Sequence, residues 1–78
     1  MKQILPGMVL KATVEYNATQ RGDWIGKGTI LVVIDDIAVD QNKRFFVHLL
    51  VGDDYVKWSR DTSKLLIDAI YDHHDLVK

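Results

Sequence analysis

The sequence predicts a mainly β chain, a strongly twisted antiparallel meander of four strands followed by a C-terminal amphipathic helix. Three observations predict it. Thr29 to Ile34 reads Thr-Ile-Leu-Val-Val-Ile, the longest uninterrupted apolar run, with Gly26 and Gly28 before it and Asp35 and Asp36 after it. Such a short bounded run rich in β-branched residues is the pattern of a strand covered on both faces. Met8 to Tyr16 alternates, with Met8, Leu10, Ala12, Val14 and Tyr16 on one side and Lys11, Thr13 and Glu15 on the other. Beyond Arg60 the apolar period lengthens from two to the three and four of a helix.

The elements follow in order. Pro6-Gly7 is a turn signal that sets the start of the first strand, over 8–16. Residues 17–27 are polar, contain Gly22 and Gly26, and form a loop too long for a tight hairpin. Trp24 sits in that loop, either folded back as a lid on the core or exposed for a partner. Residues 28–36 are the central strand and 37–42 a short connection. Phe45 to Val51 is a second apolar run broken only by His48, with Phe45, Val47, Leu49 and Val51 on one face and Phe46, His48 and Leu50 on the other. Gly52-Asp53-Asp54 is a tight turn, and Gly52 is expected at positive φ. Tyr55 to Ser59 is a fourth strand, with Val56 and Trp58 on one face and Tyr55 and Lys57 on the other. Leu65, Leu66, Ala69, Ile70, His73, Leu76 and Val77 then share one helical arc. The spacing predicts a helix from Thr62 to about Asp75, capped by Asp61 or Thr62. The competing reading is a helical turn over 63–67 followed by a fifth strand over 69–77.

Seventy-eight residues predict a single domain, 1–78. With 47% hydrophobic and 27% charged residues the composition is that of a globular chain. A net charge of −1 does not suit a dedicated polyanion binder. The chain has no cysteine, no apolar stretch of membrane-spanning length and no signal-peptide pattern, so the expected location is the cytoplasm, with no membrane contact.

The order over residues 8–60 is strand, long loop, strand, short loop, strand, tight turn, strand. This layout is similar to the small SH3-like barrels, and the resemblance implies a barrel-like curl of the meander around its own core. SH3 domains that read proline-rich peptides carry an acidic and aromatic first loop. Here that loop holds one aromatic residue, Trp24, and one acid, Asp23, so no peptide-groove residues are carried over.

Chemistry-bearing groups are few. Asp72-His73-His74-Asp75 holds metal-ligand residue types, but adjacent side chains on a helix diverge by about 100°, and only Asp72 and Asp75 stand at converging spacing. A polar helix end with histidines near the C-terminal dipole explains it. Asp35-Asp36 and Asp53-Asp54 follow strands, where acids are ordinary turn residues. His48 is expected half-buried with one hydrogen-bond partner, or as a pH-sensitive group. Arg21-Gly22-Asp23 spells an integrin-binding tripeptide by coincidence. No nucleophile setting and no phosphate-binding glycine loop is found. The expectation is no catalytic residue, no cofactor and no metal.

The positive signals concern partners. Lys43, Arg44, Lys57, Arg60 and Lys64 gather at the start of the third strand and the end of the fourth, with Tyr55 and Trp58 nearby. Such basic and aromatic patches hold single-stranded nucleic acid. There is also more apolar strand surface than a small barrel needs, with Phe45, Phe46, Leu50, Tyr55, Trp24 and Ile67 as candidates for an exposed patch. The function expected first is a non-enzymatic module that binds a protein partner or a second copy of itself. Free-standing modules of this size are frequent among phage and bacterial accessory proteins that modulate a larger machine. The alternative is nucleic-acid or ribonucleoprotein binding. The candidate partner-binding residues are Trp24, Lys43, Arg44, Tyr55, Lys57, Trp58 and Arg60.

Overall fold

A computed structural model describes residues 2–17, 19 and 21–78. Positions 18 and 20 of the expected first loop lie outside the described residues. Among those described, the elements in order are β1 (Val9–Ala12), β2 (Tyr16–Asn17), β3 (Trp24–Ile25), β4 (Ile30–Val33), β5 (Ala38–Val39), β6 (Phe45–Val51), β7 (Asp54–Arg60), α1 (Ser63–His73) and β8 (His74–Leu76). The chain is mainly β and every ladder is antiparallel.

The four principal strands pair in sequence order, β1 with β4, β4 with β6 and β6 with β7. The longest ladder is the β6–β7 hairpin, from Phe45 opposite Arg60 to Val51 opposite Asp54. Gly52 makes its turn at φ 60°, as expected. The short β5 lies beside the first half of β6, on the edge whose second half belongs to β4. No ladder joins β7 to β8 among the described residues, so the sheet stays open there.

Alternation along each strand builds the core. Leu10 and Ala12 of β1, Leu31 and Val33 of β4, Val47 and Leu49 of β6, and Val56 and Trp58 of β7 all point inward. Leu66 and Ile70, one turn apart on α1, meet them from the helix. Ile4 and Ile25 complete this cluster. Ile25 therefore closes the core from the first loop, while Trp24 next to it does not.

Several boundaries differ from the sequence reading. The first strand is expected over 8–16 but ends at Ala12; the Thr13 amide still bonds the carbonyl of His73 at 2.9 Å, one step further along the β1–β8 register, before the chain turns away. Val14 is consequently exposed. The 17–27 loop contains the β2–β3 hairpin, and the 37–42 connection contains β5. The central strand is shorter than 28–36, and only one of its faces is covered. Leu31 and Val33 are buried, whereas Ile30 and Ile34 are 48% and 46% exposed. Leu65, placed on the buried helical arc, is exposed as well.

The C-terminal segment combines both readings offered for it. The helix runs to His73, and the chain then turns extended at His74 (φ −140°, ψ 152°) to add β8 beside β1. The histidines make this stop without a glycine or proline. A helix end leaves its last carbonyls unpaired. Here the His74 Nδ1–H donates to the Ile70 carbonyl at 2.7 Å, and the His73 Nδ1–H to that of Ala69 at 2.8 Å. The N-terminus is capped by Thr62, whose Oγ1 accepts from the Leu65 amide at 3.1 Å. Thr62→Ala is expected to lower unfolding free energy by about 1 kcal/mol. Urea denaturation checks it; an unchanged midpoint would mean that the cap is redundant.

Candidate protein-interaction surface

The residues that alternate outward on the central strands are apolar, and the registers place them side by side. Val9 faces Val32, Val32 faces Leu50, and Leu50 faces Tyr55, forming one row across β1, β4, β6 and β7. In the next row the Ile34 amide bonds the His48 carbonyl at 3.2 Å, and His48 faces Lys57. Phe46 lies beyond, opposite Ser59. The outer face of an antiparallel sheet usually alternates to polar residues. Here Ile34, Leu50 and Tyr55 are exposed, and Val9, Val32 and Phe46 are half-buried.

A shallow hollow of about 250 Å³ opens in this face, lined by Ile34, His48 and Tyr55. His48 is fixed in its wall. Asp35 Oδ1 accepts from the His48 backbone amide at 3.2 Å, and Asp35 Oδ2 lies 3.0 Å from Nδ1. A carboxylate only accepts, so Nδ1 carries the proton. In the neutral ring Nε2 is then the acceptor. The imidazole packs edge-on against Tyr55 and Phe46, with centroids 5.3 Å and 5.5 Å away. The Lys57 ammonium lies 4.8 Å from the centre of the Phe46 ring. His48 is thus half-buried and hydrogen-bonded, the arrangement expected for it.

Among the described residues Trp24 is the most exposed large apolar side chain, at 64%. It is no lid. The β2–β3 hairpin carries it, with Trp24 opposite Asn17. Just beyond β2, Thr19 bridges Val56 of β7, and Arg21 reaches Asp53 at 3.4 Å. The hairpin therefore lies along the end of β7 that also carries Tyr55.

The seven residues proposed from sequence thus divide. Trp24, Tyr55 and Lys57 are exposed, Tyr55 and Lys57 on this face and Trp24 on the adjoining hairpin. Lys43 and Arg44 stand at the opposite end of the β6–β7 hairpin, near Arg60, as the pairing predicts. The fold already uses much of their charge. Arg44 pairs with Asp61 at 2.9 Å and donates to Ser59 Oγ, while Arg60 lies over the Trp58 ring at 5.4 Å and donates to the Ser59 carbonyl. Lys43 is exposed on a turn at φ 62°. Trp58 leaves the exposed set. It is 7% exposed because it points inward with Val56, and a period of two keeps it off the face of Tyr55 and Lys57. Phe45 and Ile67, offered as patch residues, are half-buried against the core.

Sequence reasoning missed the aromatic cluster under the helix end. The Trp58 ring lies 5.3 Å from Tyr16, 4.9 Å from His73 and 5.7 Å from His74. The Tyr16 hydroxyl donates to His74 Nε2 at 2.6 Å. Burial pushes the Tyr16 phenol up to about 12, with a small opposing pull from Trp58. Burial pushes the His74 imidazole below its usual value, reinforced by neighbouring His73 and partly offset by the Ile70 carbonyl. The sequence signal for it is the pair His73-His74, which marks a helix end but does not announce its partners Tyr16 and Trp58.

No three His, Cys, Asp or Glu side chains converge as a metal site among the described residues, and none of their helices is long and apolar enough to cross a membrane. The chain matches no known protein family, no curated protein and no solved structure.

Proposed function

We propose that this chain is a small non-enzymatic interaction module that binds protein through the outer face of β4, β6 and β7. The observation that carries the reading is the row Val32, Leu50 and Tyr55 with Ile34 beside it, an apolar surface on the side of the sheet away from the core. Apolar residues gathered in one exposed patch mark interaction surfaces, whereas single exposed ones do not. The hollow beside His48 is a place for an anchoring side chain, the usual centre of binding energy. The strand order of a curled meander with a long first loop supports an SH3-like barrel as the scaffold, here with α1 and β8 appended. A single domain, a cytoplasmic setting and an accessory role on a larger machine fit this module. The nucleic-acid alternative is weaker, because Arg44 and Arg60 spend their donors within the fold.

The test compares the wild-type chain with Leu50→Glu as bait for proteins of the source cell, at low and moderate salt. Leu50 is partly exposed, so the substitution leaves the core intact. The expected result is protein capture that survives added salt and drops at least tenfold in Leu50→Glu, the scale of a lost interface residue. Capture that is unchanged in Leu50→Glu, or a single-stranded RNA shift that disappears steeply with salt, overturns the reading.

A further inference from the structure

We infer that the hollow between Ile34, His48 and Tyr55 receives Trp24 of a second copy of this chain, in a reciprocal two-fold contact. The inference rests on the protein-binding reading and names its occupant. The molecule carries both halves of one joint. The knob is an indole that is 64% exposed. The hole is an apolar hollow with the His48 ring in its wall, whose Nδ1–H is held by Asp35 and whose Nε2 is the acceptor. An indole matches that chemistry, since it has a large apolar body and a single N–H donor. Trp24 does not fill its own hollow, as its exposure shows. A second copy can.

Position and charge support the exchange. The loop that joins β2 and β3 lies against Val56 of β7 and Asp53 in the turn before it, so the hairpin that carries the knob borders the strand that carries Tyr55 of the hole. In a two-fold contact each copy then offers both at once. Asp23, beside the knob, is exposed and acidic; Lys57, opposite His48 beside the hole, is exposed and basic. The exchange brings these opposite charges together twice. A net charge of −1 sets up little repulsion between copies. Each buried Trp removes about 150–250 Å² from water, and the surfaces that receive it lose a similar area, so two anchors account for roughly 600–1,000 Å². That falls just short of the roughly 1,200 Å² at the low end for specific complexes. The dimer is therefore weak and concentration-dependent.

Sedimentation equilibrium, with tryptophan emission recorded over the same concentrations, tests this. Trp58 is buried and supplies a constant background. The expected result is a reversible dimer, with emission moving to shorter wavelength as it forms. Trp24→Ala raises the dissociation constant about thirtyfold or more, the scale of a truncated tryptophan anchor. Trp24→Phe, which keeps the ring and lacks the donor, falls between them. In a His48→Phe background the effect of Trp24→Phe shrinks, because the acceptor is already gone. A chain that stays monomeric up to about millimolar concentration, or a dimer that Trp24→Ala leaves intact, overturns the inference. If the chain is monomeric while Leu50→Glu still abolishes capture of another protein, the self-contact is wrong and the protein-binding reading stands. If Leu50→Glu changes nothing, the protein-binding reading falls, and the self-contact falls with it unless Trp24→Ala breaks the dimer.

Discussion

Trp58→Ala lowers the unfolding free energy by about 3–5 kcal/mol, whereas Trp24→Ala leaves the unfolding midpoint within error of wild type. Both residues are tryptophans on strands, and the difference lies in what each touches. Trp58 is packed against Tyr16, His73 and His74, with Arg60 across its ring. Removing a buried Trp side chain costs about 3–5 kcal/mol, since the lost transfer energy adds to the cavity left behind. A chain of this length has about 4–12 kcal/mol in total. The cavity would also remove the wall that holds Tyr16 against His74, so the loss extends to the β8 junction. Trp58→Phe costs less than Trp58→Ala, because it keeps an aromatic ring against Tyr16, His73 and His74. Circular dichroism with urea titration reads all three variants. A Trp58→Ala chain as stable as wild type would place the indole outside the core, and would return it to the basic patch suggested by sequence alone.

The sequence reveals the parts of this fold that depend on neighbours within a few residues. The β6–β7 hairpin, its Gly52 turn and the Thr62 cap are local, and alternation or capping chemistry specifies them. It conceals what depends on distant partners. Nothing in Thr13-Val14-Glu15 announces that the alternating pattern leaves the sheet after Ala12. His74-Asp75-Leu76 is too short to show a period, so a fifth strand over 69–77 is only the competing reading of this segment. Pairing with Leu10, Lys11 and Ala12 makes these three residues a strand.

The candidate surface is hidden for a different reason. A strand covered on both faces and a strand whose outer face awaits a partner have the same apolar run. Ile30 to Ile34 therefore reads as fully enclosed until the register shows Ile34 and Val32 beside Leu50 and His48 on the open side. Trp58 illustrates the converse. Its strand period already places it with Val56 and away from Tyr55, and proximity in sequence to Lys57 and Arg60 is no guide to a shared face. The surplus of apolar strand residues was a correct signal of exposed apolar surface, but which residues supply it depends on inter-strand register.

Stability falls as pH drops below about 6.5, and His74 is the group responsible. The ring is 1% exposed, and as a neutral imidazole both of its nitrogens are satisfied, Nδ1–H donating to the Ile70 carbonyl and Nε2 accepting from the Tyr16 hydroxyl. A second proton, on Nε2, would meet the phenol proton, and the charge would be buried beside His73. The folded chain therefore holds His74 below its ordinary value, chiefly by burial. The sign follows from linkage. Above the unfolded value of about 6.5 neither state binds this proton, and the stabilisation is fully present. As pH falls below that value the unfolded chain takes the proton first, so stability declines until pH has passed the lowered folded value. The slope for one such group is at most about 1.4 kcal/mol per pH unit. His74→Gln, which carries no charge at any pH, is expected to remove this slope while losing stability at neutral pH. Tyr16→Phe removes the donor that favours the neutral ring, so it moves the His74 value upward and shrinks the acid limb from the other side. Amide exchange should show the β8 pairs with β1 opening first on acidification, because His74 is the residue that joins β8 to the helix. An acid limb of equal slope in wild type and His74→Gln would assign the effect to other groups and leave the Tyr16–His74 bond a matter of packing alone.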